Sequence, residues 1–240
     1  MGTGRSGLPK GLKNTTNKVT SSVPNAKVKS FRQLSAEDAA KTYMDARNAT
    51  RTVSTLNDLR RQGMNNTALQ YLVHSLGMHE PGVVLPNSDF DRQAKTEALG
   101  GVVLYRGASQ RAIDNIMYGE KMYIGEGIHG DGIYFSTSPY TAKSYGRSTV
   151  TAYIDKSLAN VVKEGALRKM LAAEPISVRD SFRGDSGLSA YAIYKGYNVI
   201  HVPGGNGGTG YAYRQGHGGE DYYVPLTRRV LIMREHSKVK

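Results

Sequence analysis

Apolar residues recur along this chain at two spacings, and the switch between them divides it. In the first hundred residues the spacing is helical. Ser35-Ala36-Glu37-Asp38 is a helix-start signal, with an acid three places after the capping serine, and predicts a helix over 36–47. A second helical stretch covers 53–61. A third covers 67–76, with Leu69, Leu72, Val73 and Leu76 on one face. Pro81 and Pro86 interrupt the next stretch. After Gly100-Gly101 the apolar runs shorten to strand length, and strands are predicted over 102–105, 121–124, 132–135, 148–154, 197–202, 222–226 and 230–233. Between them come a helix running from a Ser109 cap to Met117, a short one over 139–145 opening on Pro139, one within 158–172 and one over 188–195. Residues 204–219 are dominated by glycine and read as a mobile loop. Many short strands mixed with helices indicate the α+β class. The expected organisation is a basic, disordered arm over 1–34, a helical region over 35–99 and a mixed domain over 100–240.

Composition narrows the class. Hydrophobic residues make up 39% of the 240 and charged residues 22%, a balance suited to a globular protein. No stretch approaches the roughly 20 apolar residues of a membrane span, and the N-terminus has no apolar core of the kind a secretory leader needs. No membrane partner is therefore expected. Cysteine is absent, which excludes a disulfide scaffold, a thiolate zinc site and a cysteine nucleophile. A reducing, cytoplasmic setting is the expectation. Six histidines are scattered, none with a carboxylate at helical ligand spacing, so no metal is expected.

Charge is unevenly placed. Of the net +12, seven positive charges (Arg5, Lys10, Lys13, Lys18, Lys27, Lys29 and Arg32) lie in residues 1–36, which hold only one aromatic, Phe31, and no acid before Glu37. Such an arm can contact nucleic acid by counterion release, without stacking on bases, or serve only as a solvated tail.

Gly125, Gly127 and Gly130 match the bare dinucleotide-binding pattern, but a predicted strand comes next where that fingerprint needs a helix N-terminus. A more informative constellation is spread over three segments. Tyr105-Arg106-Gly107 ends an apolar strand. Gly132-Ile133-Tyr134-Phe135-Ser136-Thr137-Ser138 forms the second segment, with Ala142 and Tyr145 on the next helix. Glu220-Asp221 precedes the strand at Tyr222. Taken singly, each feature has an ordinary structural explanation: a surface arginine, a helix cap, core tyrosines, a solvated acid. The order and spacing of all of them together carry the signal.

In that order and spacing the segment 101–233 resembles the ADP-ribosyltransferase superfamily. Arg106 and the Ser136-Thr137-Ser138 run resemble its Arg–Ser–Glu, toxin-like branch. Gly132-Ile133-Tyr134-Phe135 with Tyr145 resembles the donor loop of its poly-ADP-ribose polymerase branch, from which the chain departs by having Arg106 in place of that branch's histidine. Small members of the superfamily occur in phages and as bacterial effectors, to which the basic start is suited. The resemblance implies two small antiparallel sheets packed face to face with NAD+ in the cleft between them. It implies that Arg106 holds the diphosphate, Gly107 offers backbone bonds to the nicotinamide amide, and Tyr134 and Tyr145 sandwich the nicotinamide ring. Ser136, Thr137 and Ser138 belong to the same NAD+ site, and Glu220 steadies the ribosyl cation. The glycine-rich stretch sits where the family recognises its acceptor.

The catalytic acid has two registers. Glu220 and Tyr222 share a strand face, so alternation alone does not choose between them. Glu220 is the reading adopted, because a carboxylate stabilises a cation and a phenol does so poorly. With Glu220 in that place, position 218 is glycine and the superfamily's second acid is missing. Asp221 points the other way. Three functions are compatible with this pattern: mono-ADP-ribosyl transfer to a protein or nucleic acid, NAD+ glycohydrolysis with water as acceptor, or a non-enzymatic nucleic-acid-associated or virion protein on a degenerate transferase fold.

Overall fold

A computed structural model describes residues 31–52, 61, 83–118, 127–205 and 219–235. The helix signal at Ser35 forms as its residues require. Ser35 Oγ donates to Asp38 Oδ2 at 2.8 Å and accepts from the Asp38 N–H at 3.1 Å. Helix α1 then runs Ala36–Thr52, one turn beyond the predicted end. Just upstream, Phe31 is buried in a single 3-10 turn and meets the Tyr194 ring edge-on at 6.5 Å. The end of the expected arm is thus fixed to the body, because an aromatic side chain gains from leaving water. The arm up to residue 30, the helix over 67–76 and the strand over 121–124 lie outside the described residues. So do nearly all of the helix over 53–61 and most of the glycine-rich loop.

The stretch expected to be helical up to residue 99 also supplies a strand. Strand β1, Val83–Leu85, pairs parallel to β8, Leu231–Arg234. Pro86 then caps helix α2, Asn87–Glu97, rather than ending structure. Phe90 of α2 is fully buried against Tyr153, ring centroids 5.3 Å apart, which ties this segment to the sheet.

Six further strands complete the sheet: β2 Leu104–Ala108, β3 Phe135–Ser136, β4 Ser148–Ile154, β5 Val161–Lys163, β6 Val199–Val202 and β7 Tyr222–Pro225. Their order is β1-β8-β4-β2-β3-β7-β6-β5. The α+β class is as expected, but the two separate sheets are not found. The eight strands form one hydrogen-bonded series, and it is not wholly antiparallel, since β1/β8 and β5/β6 run parallel. The physical reason is β3. Its two residues pair with β2 on one side (Tyr105↔Ser136) and with β7 on the other (Phe135↔Tyr223, Ser136↔Tyr222), bridging what would otherwise be a four-stranded and a three-stranded group.

Five more helices cover the sheet: α3 Gln110–Met117, α4 Pro139–Ser144, α5 Glu164–Ala172, α6 Ile176–Ser181 and α7 Gly184–Tyr194. The helix expected within 158–172 forms as α5, with strand β5 just before it. Helix α7 carries Leu188, Ala190, Tyr191 and Ala192 into the core and packs against α1. Among the described residues no helix is long and apolar enough to cross a membrane.

Candidate functional site

The site is organised by the short helix α4, and its sequence explains why the helix forms there. Ser136 Oγ accepts from the Ser138 N–H at 3.0 Å. Ser138 Oγ in turn accepts from the Thr141 N–H at 3.3 Å, and Pro139 fits the first helical turn. The Ser-Thr-Ser run therefore builds a helix start. Its middle member closes the sheet: Thr137 N–H donates to Asp221 O at 3.0 Å, and Asp221 N–H donates to Thr137 Oγ1 at 3.1 Å. This pair of hydrogen bonds joins the end of β3 to the start of β7.

Helix α4 lies directly on β2. A Cβ placed on Gly107 would stand 1.7 Å from the Ala142 carbonyl oxygen, so only glycine admits the helix here. From α4 the buried Thr141 donates its hydroxyl to Glu220 Oε1 at 2.6 Å. Tyr145, the C-cap of α4, shares a side-chain hydrogen bond with Tyr222. Three segments far apart in sequence, 105–107, 134–145 and 220–222, thus meet around one helix.

Burial first, then Tyr145 and the neighbouring Glu220, push the Tyr222 phenol well above its ordinary range. Tyr222 thus lies beside the Glu220 carboxylate. Asp221 points away from it, as alternation requires. Its Oδ2 lies 2.8 Å from His201 Nε2, and its Oδ1 accepts from the Gly204 N–H at 2.8 Å. Burial raises the Asp221 carboxyl, but the Gly204 and His201 contacts outweigh it and hold the group below the usual carboxylate range. The His201 ring stacks on Tyr223 at 4.5 Å.

Arg106 is placed differently from expectation. Gly107 faces α4, so its neighbour Arg106 leaves the opposite face of β2. By register it falls beside Phe135 and Tyr223, on the reverse of Glu220. Its Nη1 donates to the Tyr134 carbonyl at 2.9 Å across the β2–β3 seam. Its Nε is buried without a hydrogen-bond partner, and burial drives the guanidinium pKa below its ordinary value. The Tyr134 hydroxyl donates to the Gly130 carbonyl and accepts from the His129 N–H at 3.2 Å, while Tyr145 stands 59% exposed.

A buried ion pair holds the approach to β3. Arg47 Nε of α1 lies 2.7 Å from Asp131 Oδ2, and Asp131 is 1% exposed. Ser189 Oγ donates to the Asp131 carbonyl at 2.9 Å. Burial first, and then Asp131, push the Tyr43 phenol strongly upward. Asp131 sits between Gly130, whose φ is +104°, and Gly132, so the glycines of this segment serve a turn. A strand comes after them, so no dinucleotide-binding helix opens here. Thr141, His201 and Arg47 had no signal in the sequence, since each acquires its role from a partner 79, 20 or 84 positions away. Among the described residues no cluster of metal-ligating side chains occurs.

No protein-family model matches this chain, and no curated protein matches it.

Proposed function

We propose that the protein transfers ADP-ribose from NAD+ to a macromolecular acceptor and releases nicotinamide. The observation that carries this reading is the Glu220 carboxylate held by buried Thr141 on the helix that also covers Gly107 and carries the Ser136–Ser138 cap. The reaction breaks the bond between nicotinamide nitrogen and ribose C1. The pair of bonding electrons leaves with nicotinamide, and the ribosyl carbon passes through an oxocarbenium-like state. A carboxylate fixed in advance stabilises that positive charge without reorganising. A nucleophile of the acceptor then bonds to C1 and gives up its proton.

In this reading the dinucleotide lies on the Glu220 face of the sheet, beside the β2–β3 seam where the two strands share a single residue pair. The nicotinamide ribose lies on the Glu220 side. Tyr145, exposed beside Tyr222, supports the nicotinamide ring from one side. The test is incubation of the protein with NAD+ labelled in its adenylate moiety, together with cell lysate. Label on a protein or nucleic-acid band supports transfer. Free ADP-ribose alone replaces it by glycohydrolysis, and no nicotinamide release overturns it.

A further inference from the structure

Asp221 is the residue next to the candidate acid, and every one of its polar atoms is engaged. Its N–H donates to Thr137 Oγ1 at 3.1 Å, and its carbonyl accepts from the Thr137 N–H at 3.0 Å. Its Oδ1 accepts from the Gly204 N–H at 2.8 Å, and its Oδ2 lies 2.8 Å from His201 Nε2. Three segments therefore converge on one residue: the end of β3, strand β6 and the 3-10 turn Pro203–Gly205 that follows β6. A carboxylate whose side chain is 35% exposed needs none of this for solvation, since water would satisfy it.

His201 is fixed as well. In register it lies between Lys163 of β5 and Tyr223 of β7. Its ring stacks on Tyr223 at 4.5 Å, with 11° between the planes. Tyr223 and Asp221 are two positions apart and share a strand face, so the stack that sets the ring plane also aims Nε2 at the carboxylate. Burial raises the Asp221 carboxyl, but the Gly204 N–H, His201 and Lys163 outweigh it, so the group accepts both bonds as an anion.

Glu220 depends on this neighbour. Consecutive Cα atoms stand about 3.8 Å apart, so a shift of Asp221 carries the Glu220 backbone with it. Residues 137–141 hold both acids: Thr137 bonds the Asp221 backbone, and Thr141 the Glu220 carboxylate. A displacement at Asp221 that opens the Thr141–Glu220 bond leaves the acid present but wrongly aimed.

We propose that His201 is a positioning residue for Glu220: through its bond to Asp221 it fixes where the chain enters β7, and with that the direction of the Glu220 carboxylate. The catalytic consequence rests on the transferase reading above. The brace itself does not, and amide exchange measures it without NAD+.

Two substitutions separate the donor from the ring. His201→Phe keeps a ring for Tyr223 and removes the donor to Asp221. His201→Gln gives up the ring and keeps an N–H at similar reach. With the full chain, kcat for nicotinamide release should fall about 10- to 100-fold in His201→Phe, with KM for NAD+ nearly unchanged. His201→Gln should restore most of that loss. Joined to Thr141→Val, His201→Phe should add little to the larger single loss, because both act through one carboxylate. By hydrogen exchange, the Asp221 amide should exchange faster in His201→Phe than in the parent, and near the parent's rate in His201→Gln, while β4 stays unchanged in both. Unchanged kcat in His201→Phe, an equal loss in His201→Gln, or fully additive losses with Thr141→Val would overturn the proposal and leave His201 a packing residue. If the parent chain releases no nicotinamide, the transferase reading fails. The exchange data then decide the brace alone: faster exchange in His201→Phe upholds it, and equal exchange strikes it.

Discussion

Thr141 Oγ1 and Glu220 Oε1 lie 2.6 Å apart although 79 residues separate them in sequence. The bond fixes the orientation of a half-buried carboxylate from a helix whose own position depends on the absence of a side chain at Gly107. The acid is therefore held by α4 as well as by the strand it precedes, and that dependence makes the site testable at several points.

Glu220→Gln keeps shape and polarity but removes the charge. Nicotinamide release should fall by about 10²–10³-fold while NAD+ affinity, measured by calorimetry, changes little. Full turnover in this variant would move the acid elsewhere.

Thr141→Val removes the hydroxyl at nearly constant volume. Stability should drop by about 1 kcal/mol in denaturant titration. Turnover should fall more than affinity, because the carboxylate remains present but is no longer oriented. Equal losses in both would reduce Thr141 to a packing residue.

Gly107→Ala places a methyl group against the Ala142 carbonyl, a backbone atom that cannot swing aside. Helix α4 must shift, at a cost of about 1–3 kcal/mol in stability. Nicotinamide release should be abolished together with the Thr141–Glu220 bond, and thermal unfolding with product assay reads both.

Arg106→Lys tests the seam. A lysine replaces the planar fork by a point charge and gives up the cross-seam bond geometry to Tyr134. Stability should drop by about 1 kcal/mol in denaturant titration while NAD+ affinity stays unchanged, since Arg106 leaves the face opposite Glu220. An about 10-fold weaker NAD+ affinity would return Arg106 to the diphosphate.

Acid should loosen the loop-side end of the sheet first. The folded Asp221 carboxyl lies below its ordinary value of 3.8. Its contribution is complete above that value and is lost as pH falls through the lowered one. Asp221→Asn should therefore show a shallower acid limb when unfolding is followed by circular dichroism below about pH 4. An acid limb as steep as in the parent chain would deny Asp221 this part.

Local chemistry was readable from the sequence. The Ser35–Asp38 cap, the Ser109 and Ser138 caps and the strand over 148–154 depend on residues within a few positions of one another, so pattern reveals them. So does the alternation that separates Asp221 from Glu220. Strands β1 and β5 were not readable. Three-residue runs carry no period, and each is a strand only because a distant partner, Leu231–Arg234 or Val199–Val202, completes its ladder.

The sequence by itself determined the α+β class, the helix starts and the three segments that converge. Only the tertiary structure decided that the halves join into one sheet through the two residues of β3, that Thr141 holds Glu220, and that Arg106 leaves the opposite face. Those outcomes depend on strand register and on close approach between residues tens of positions apart. Side-chain identity along a chain encodes local preference, and register is fixed only when the strands meet.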